Sequence, residues 1–313
     1  MPKSVNLGII GGGDIVNHHL NVLKEISFFK LYSITSKTNK NSNKLKKLYS
    51  IKNIHINYLE MSKDNKIDCF LICVSPNSVF DVLKTIIPTK KPFFTEKPFA
   101  LNILQSKKIF NLLKKYKNKN IVGYNRRFYS IFQKGLEYLK KNGGLKAINI
   151  EGHERFWLIK KKIKNKKILK NWIYVNNTHM IDLITYFIGD IKKMKYISKN
   201  SKNFILSFVS NRNVIGTYTS YWNSPGGWTV KLYGNEHTII FDPLEKGYIL
   251  NKKFQKKELI PSNLDIRFKQ GFYKQMIAYK SLINTQKLSW PACDINNAMI
   301  SMKIANNLTK NCV

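Results

Sequence analysis

Three stretches of this chain carry residues that could do chemistry. In GIIGGGDIV (8–16), Gly11, Gly12 and Gly13 fall between an apolar strand-like run and a helical pattern. Glycine there permits positive φ and close backbone approach. The free N–H groups at the start of the next helix, from Asp14 and Ile15, suit a pyrophosphate. Val16 occupies the third glycine position of G-x-G-x-x-G. That glycine serves helix–strand packing, so its replacement leaves the phosphate site in place. A dinucleotide site should also hold a ribose at the end of the second strand, where the sequence is ITSKTNK (34–40). No carboxylate is available there for a 2′-hydroxyl. Ser36 and Lys37 suit a 2′-phosphate, so the reading leans to NADP over NAD.

In FFTEKPFALN (93–102), Lys97 sits between Glu96 and Pro98 at the end of an apolar run. It is either a solvated loop residue or a positioned chemical group. Ligands sit at the carboxyl ends of parallel strands, and Pro98 fixes the backbone just after the lysine. In NNTHMIDLITYFIGD (176–190), His179 is expected in the first turn of a helix whose Ile181, Ile184, Phe187 and Ile188 face a core. A helix N-terminus disfavours imidazolium, which would leave a neutral proton acceptor. The alternative is a capped, structural histidine.

These residues need a scaffold. Up to about residue 125, strand-like runs (5–10, 30–35, 67–74, KPFFT, NIVGY) alternate with helical patterns. That rhythm predicts a doubly wound parallel sheet in an α/β chain. Beyond it the sequence predicts a helix ending at NGG (142–144), a strand, a lysine-rich stretch and the histidine helix. Successive strands over 191–250 suggest an antiparallel sheet, and two helices close the chain. YWNSPGGW (221–228) reads as a hairpin. The expected division is 1–122 and 123–313, closely joined near 122–128, with no internal repeat.

The chain has 313 residues, enough for two domains, and no apolar run of membrane-span length. It reads as soluble and cytoplasmic. Cys69, Cys73, Cys293 and Cys312 lack metal-site or disulfide spacing. The net charge of +36 comes from 54 basic against 18 acidic residues, yet only five are arginines. Lysines spread through an asparagine- and isoleucine-rich chain resemble AT-rich coding and a solvated surface, so nucleic acid is not the expected partner. The charge would still attract an anionic substrate or cofactor.

The ordered set GIIGGGDIVNHHL, IDCFLICVSPNSVF, FFTEKPFALN, VGYNRRF, NNTHMIDLITYFIGD and a late YG turn resembles the Gfo/Idh/MocA family of oxidoreductases. This family includes glucose–fructose oxidoreductase and inositol dehydrogenase. The resemblance implies an N-terminal Rossmann domain and a C-terminal α+β domain. The latter would carry an open, mostly antiparallel sheet used in homo-oligomers, dimer or tetramer, with the active site between the domains. It assigns Lys97 and His179 to catalysis, sharing the proton of a sugar oxygen. Glu96 would orient the cofactor, and Ser75, Pro76 and Asn77 would lie beside nicotinamide and ribose. Tyr124, Asn125, Arg126 and Arg127 would stand at the domain junction, near cofactor or substrate, with a core-edge salt bridge as the alternative for either arginine. Trp172 and the lysines of 160–170 could hold a sugar ring and a phosphate, though a solvated loop fits that run better. Many relatives have an aspartate three or four residues before the histidine. Here stand Val175 and Asn176, and Asn176 can hold a hydroxyl but cannot titrate. The expectation is an NAD(P)-dependent dehydrogenase or reductase of a sugar or nucleotide-sugar, without a metal and with polysaccharide synthesis as its setting. The rival is a non-catalytic dinucleotide-binding sensor or assembly protein.

Overall fold

The computed structural model describes residues 4–200 and 202–310, so Cys312 lies outside the described residues. The chain forms two compact units. The first contains β1 (Val5–Ile10), α1 (Asp14–Leu23), β2 (Phe29–Thr35), α2 (Asn39–Tyr49), β3 (Asn53–Ile54), α3 (Tyr58–Ser62), β4 (Cys69–Ile72), α4 (Val79–Ile86), β5 (Phe93–Thr95), α5 (Ile103–Tyr116) and β6 (Asn120–Val122). Its sheet has the order β3-β2-β1-β4-β5-β6, and every pair is parallel. Every residue of β4 and β5 is buried, as expected of strands covered on both faces. The strand order reverses between β1 and β4, which leaves a crevice at their carboxyl ends.

The second unit begins at Arg126. It contains α6 (Ser130–Lys141), β7 (Ala147–Gly152), α7 (Phe156–Lys162), α8 (Lys166–Lys170), α9 (Thr178–Ile188), β8 (Ile191–Asn200), β9 (Asn203–Ser210), β10 (Ile215–Tyr221), β11 (Trp228–Tyr233), β12 (His237–Phe241), β13 (Gly247–Asn251), β14 (Lys256–Glu258) and α10 (Asn263–Arg267). The sheet order is β14-β13-β12-β11-β7-β10-β9-β8. All pairs are antiparallel except β10 with β7. One face alternates into the core through Ile148, Ile150, Leu206, Phe208, Tyr218, Val230 and Leu232. The expected hairpin at YWNSPGGW does not form. β10 and β11 flank β7 on opposite sides, so residues 222–227 cross over the end of β7.

The first unit is not continuous in sequence. Residues 271–299 return to it, carrying α11 (Phe272–Thr285) and the start of α12 (Ile295–Lys310). The division read from the sequence lacks this return. The buried Tyr279 of α11 donates its hydroxyl towards the carbonyls of Phe70 (3.0 Å) and Pro92 (3.1 Å) and stacks on Phe29. Cys293 O accepts from Val122 N at 2.7 Å, extending the edge of β6. A sequence pattern can show that such a helix is amphipathic but not which sheet it covers.

In the second unit, α9 is tied by a buried ion pair. Arg127 Nε and Nη2 donate to the two carboxylate oxygens of Asp182 at 2.6 and 2.8 Å, and Nη2 also reaches Thr185 Oγ1 at 3.1 Å. The two residues are 6% and 1% exposed. Removing one partner of such a pair strands the other charge and costs about 3–5 kcal/mol. Asp182→Ala should therefore lower the unfolding free energy of the second unit by an amount in that range, read from urea denaturation followed by circular dichroism.

Candidate functional site

The crevice predicted by strand order is a cavity of about 600 Å³ at the ends of β1, β2 and β4. Gly11, Gly12, Gly13, Ile15, Ser36, Lys37 and Ser75 all line it. Gly11 has φ +134°, and a Cβ there would stand 2.2 Å from Cys73 O. No other residue permits β1 to turn so close to β4. A Cβ on Gly13 would meet nothing within 4 Å. Gly13 is also the N-cap of α1 and supplies no side-chain cap; Val16 N donates to Gly13 O at 3.1 Å, which leaves the N–H groups of Asp14 and Ile15 without a side-chain cap. Asp14 lies in that first turn and is exposed. Val16 is fully buried against the core, which explains how α1 packs without the third glycine.

At the ribose corner, Ser36 Oγ donates to Thr38 O at 2.9 Å and lies 2.7 Å from Ser42 Oγ. Lys37 is exposed beside it, and among the described residues no Asp or Glu lines the cavity. In the turn after β4, Ser75 Oγ is 3.2 Å from Ser78 Oγ, and Asn77 Oδ1 is buried with no hydrogen-bond donor. Burial pushes the Cys73 thiol well above its ordinary value, with Glu96 adding to the effect, so Cys73 acts as a hydrophobe in the lining. A helix start without a side-chain cap, the open space at Gly13 and the glycine lining together fit a dinucleotide.

After β5 comes the Glu96-Lys97-Pro98 corner. Glu96 N donates to Ile72 O at 2.8 Å, continuing the ladder to β4. The Glu96 carboxylate meets His19 Nε2 of α1 at 2.7 Å. His19 is fully buried, with its ring against Phe94 and Phe272. A Cβ on Gly123 would stand 2.9 Å from Glu96 Oε1, so the glycine of VGY makes room for the carboxylate. Glu96 thus clamps the strand end that presents Lys97, which is half-buried. Neither Glu96 nor Lys97 is among the residues lining the 600 Å³ cavity, and nor are Asp14, Pro76 and Asn77. His19, which holds the Glu96 carboxylate, is a positioning residue that the sequence reading misses. Its one signal is a histidine in a helix whose other inward positions are aliphatic.

In the second unit, His179 is 5% exposed. The helix-start argument for it fails. Residues 173–177 form a π turn continuous with α9, and Asn177 and Thr178 both have helical dihedrals. Thr178 N donates to Ile173 O, five residues back. His179 therefore lies inside a helical run, and the free N–H groups are upstream. Its ring centroid is 6.0 Å from that of Trp228, over which the Arg126 guanidinium sits at 4.5 Å.

Trp228 also lines a second cavity, of about 280 Å³, with Trp172, Asn176 and Glu154. Asn176 Nδ2 donates to Glu154 Oε1 at 2.8 Å, and Glu154 is only 4% exposed. The segment after β7 is held by the crossing loop: His153 N donates to Gly227 O, and Arg155 Nε to Gly226 O at 3.2 Å. Phe156 N donates to Trp222 O at 2.9 Å. Below it, Asn177 Nδ2 reaches Gly152 O and Tyr218 Oη. Burial raises the Tyr218 phenol, and the nearby Glu154 charge pushes it the same way. Glu154 carries no signal in the sequence, because its burial depends on a loop crossing about seventy residues later. Tyr124 is 1% exposed and Asn125 is 6% exposed. Among the described residues, no group of three or more His, Cys, Asp or Glu could hold a metal, and no helix is long and apolar enough to cross a membrane.

Residues 5–124 match the model of an oxidoreductase family with an NAD-binding Rossmann fold, GFO_IDH_MocA. A myo-inositol 2-dehydrogenase of Thermotoga maritima is 29% identical over 139 residues, which is 44% of this chain and 41% of that protein. The match thus spans less than half of this curated relative. Among solved structures, a levoglucosan dehydrogenase in complex with NADH and L-sorbose superposes with TM-score 0.81 at 13% identity, covering 99% of this chain and 97% of that one. An oxidoreductase from Thermotoga maritima gives TM-score 0.80 at 16% identity, with 99% and 97% coverage. At these identities the superpositions establish the fold.

Gly11→Ala and Gly13→Ala should separate packing from ligand space. The first combines a strained φ with a backbone clash and should cost about 3 kcal/mol. The second should stay within about 0.5 kcal/mol of wild type. Thermal unfolding of the two variants checks both.

Proposed function

The chain belongs, through residues 5–124, to the Gfo/Idh/MocA oxidoreductases, and on that premise we propose that it is an NAD(P)-dependent sugar dehydrogenase or reductase. The observation that carries the reading is the cradle at the end of β1, where α1 starts without a side-chain cap and the space beside Gly13 is open. Gly11, Gly12, Gly13, Asp14 and Ile15 would hold the pyrophosphate through the backbone. Ser75, Pro76, Asn77, Asn125 and Arg126 would border the nicotinamide end, and Glu96 would orient the cofactor indirectly through the Lys97 corner. When bound, the nicotinamide supplies the carbon that accepts or gives the hydride.

The protein's own residues handle the proton. Lys97 hydrogen-bonds the reacting oxygen, and His179 accepts or returns its proton. Asn176 holds a neighbouring hydroxyl. Tyr124, Arg127 and Trp172 shape the substrate's surroundings, Arg127 through Asp182 of α9. With Ser36 and Lys37 at the ribose corner and no carboxylate among the described lining residues, NADP is favoured over NAD. The substrate is a sugar, free or carried on a nucleotide; the basic surface motivates the nucleotide form and a role in polysaccharide synthesis. Assembly as a cytoplasmic dimer or tetramer is the family expectation. A non-catalytic dinucleotide-binding role is the alternative, motivated by the carboxylate missing from Val175 and Asn176.

Thermal unfolding with NAD+, NADH, NADP+ and NADPH tests the first step. A nucleotide at a hundred times its Kd adds about 2.7 kcal/mol and should raise the midpoint by several degrees, most for the 2′-phosphorylated pair. Lys37→Glu should reverse that order, and an NAD-type response in the wild type would overturn the NADP assignment. With a substrate in hand, Lys97→Ala and His179→Ala should each lower kcat by about 10²–10⁴ while nucleotide affinity is retained. Activity that survives both would overturn the roles given to Lys97 and His179, whereas cellular function left intact by Lys97→Ala, with nucleotide still bound, would favour the non-catalytic reading.

A further inference from the structure

Beside the ribose corner, the first unit's cavity is lined by Ile56, Asn57 and Tyr58. β3 is the edge strand next to β2, so the residues that follow it stand beside Ser36 and Lys37. Ile56 is 76% exposed, yet its backbone is fixed. Ile56 N donates to Glu60 Oε2 at 2.8 Å, and Asn57 Oδ1 accepts from Glu60 N at 2.9 Å. An aliphatic side chain held out of the core beside a half-buried tyrosine suits the face of a flat ring.

His55 anchors this segment. Its backbone N donates to Ile34 O at 3.0 Å, and its ring reaches two other elements. Nδ1 lies 2.6 Å from Ser33 Oγ on β2, and Nε2 lies 3.4 Å from Asp64 Oδ2 in the turn after α3. A carboxylate only accepts, so in the neutral ring the proton stays on Nε2 and Ser33 Oγ donates to Nδ1. Asp64 is itself held: its Oδ1 accepts from Lys66 N and its carbonyl from Lys91 Nζ, both at 2.8 Å. A Ser-His-Asp set can activate a nucleophile, but Ser33 is fully buried in the sheet, where no substrate reaches it. The set therefore fastens the start of segment 55–58 to β2 and to the turn after α3.

We propose that His55 is a positioning residue for the adenosine half of the dinucleotide, holding Ile56 and Tyr58 as a preformed wall for the base. The proposal rests on the dinucleotide reading of this cavity. His55 acts through the segment that follows it and not by touching the nucleotide. Without the ring's two contacts the ligand must itself order the wall, and each side chain immobilised on binding lowers affinity. The effect is confined to the base. The glycine cradle and the ribose corner are built from β1, α1 and Ser36, which keep their own bonds.

The test is displacement of bound NADPH or NADH from the full chain, read by nicotinamide fluorescence, with 5′-AMP and with ribose 5-phosphate, which lacks the base. The wild type should bind 5′-AMP more tightly. His55→Ala should weaken 5′-AMP about tenfold while ribose 5-phosphate stays within about twofold. His55→Gln can still donate to Asp64 and accept from Ser33, and should recover part of the loss. Should His55→Ala fail to fold, Asp64→Ala, at a partly exposed position, provides the same comparison. Unchanged 5′-AMP affinity in the folded variant, or a parallel loss for both ligands, overturns the proposal. If the dinucleotide binds but the wild type holds 5′-AMP no better than ribose 5-phosphate, this inference falls and the oxidoreductase reading stands. If neither dinucleotide binds, both fall.

Discussion

The close approach of β1 to β4 at Gly11 governs the first unit. Parallel strands there end side by side, and the chain must leave β1 with φ +134° while its Cα passes under Cys73 O. Any side chain would force the strands apart. Because none is present, α1 starts directly over the sheet's carboxyl edge with its first N–H groups uncapped, and the cavity opens beside them. The corner at Lys97 depends on the same edge. Glu96 continues the ladder to Ile72, and its carboxylate turns inward to His19 on α1. The helix that starts over this edge without a side-chain cap is thus also tied to the strand end that presents the lysine.

The second unit has an equivalent constraint in its strand order. β7 lies between β10 and β11, so the chain between those two strands must cross the end of β7. The crossing loop takes hydrogen bonds from His153, Arg155 and Phe156. Those bonds close over Glu154 and leave it facing Asn176. The π turn at 173–177 has a related effect. It carries the helical run continuously into α9, and with it Asn176 and His179. The widened turn replaces the helix start expected at His179, and with it the field argument for a neutral imidazole.

Much is legible along the chain. Strand–helix alternation, the near-continuous apolar runs at 67–74 and 93–95, and Gly11–Gly13 specify a parallel sheet with a tight glycine turn after its first strand, because period and backbone permissiveness are local properties. The absence of a carboxylate after β2 is equally local and is visible again in the described cavity lining. Lys97 can be singled out from its neighbours alone, since a proline directly after an apolar strand and its Glu-Lys pair restricts the backbone on both sides of it.

Burial and pairing are decided elsewhere. His19 and Glu96 are 77 residues apart, and only the packing of α1 on the sheet joins them. Glu154 is one of eighteen acidic residues until a distant loop removes it from water. The return of residues 271–299 to the first unit depends on which apolar face Tyr279 and Phe272 can cover. The sequence by itself determined the kinds of element and the residues able to do chemistry, because those depend on side-chain type and short-range spacing. Only the tertiary structure decided which carboxylates are buried and what they meet, because desolvation depends on everything packed around a group and not on its neighbours in the chain.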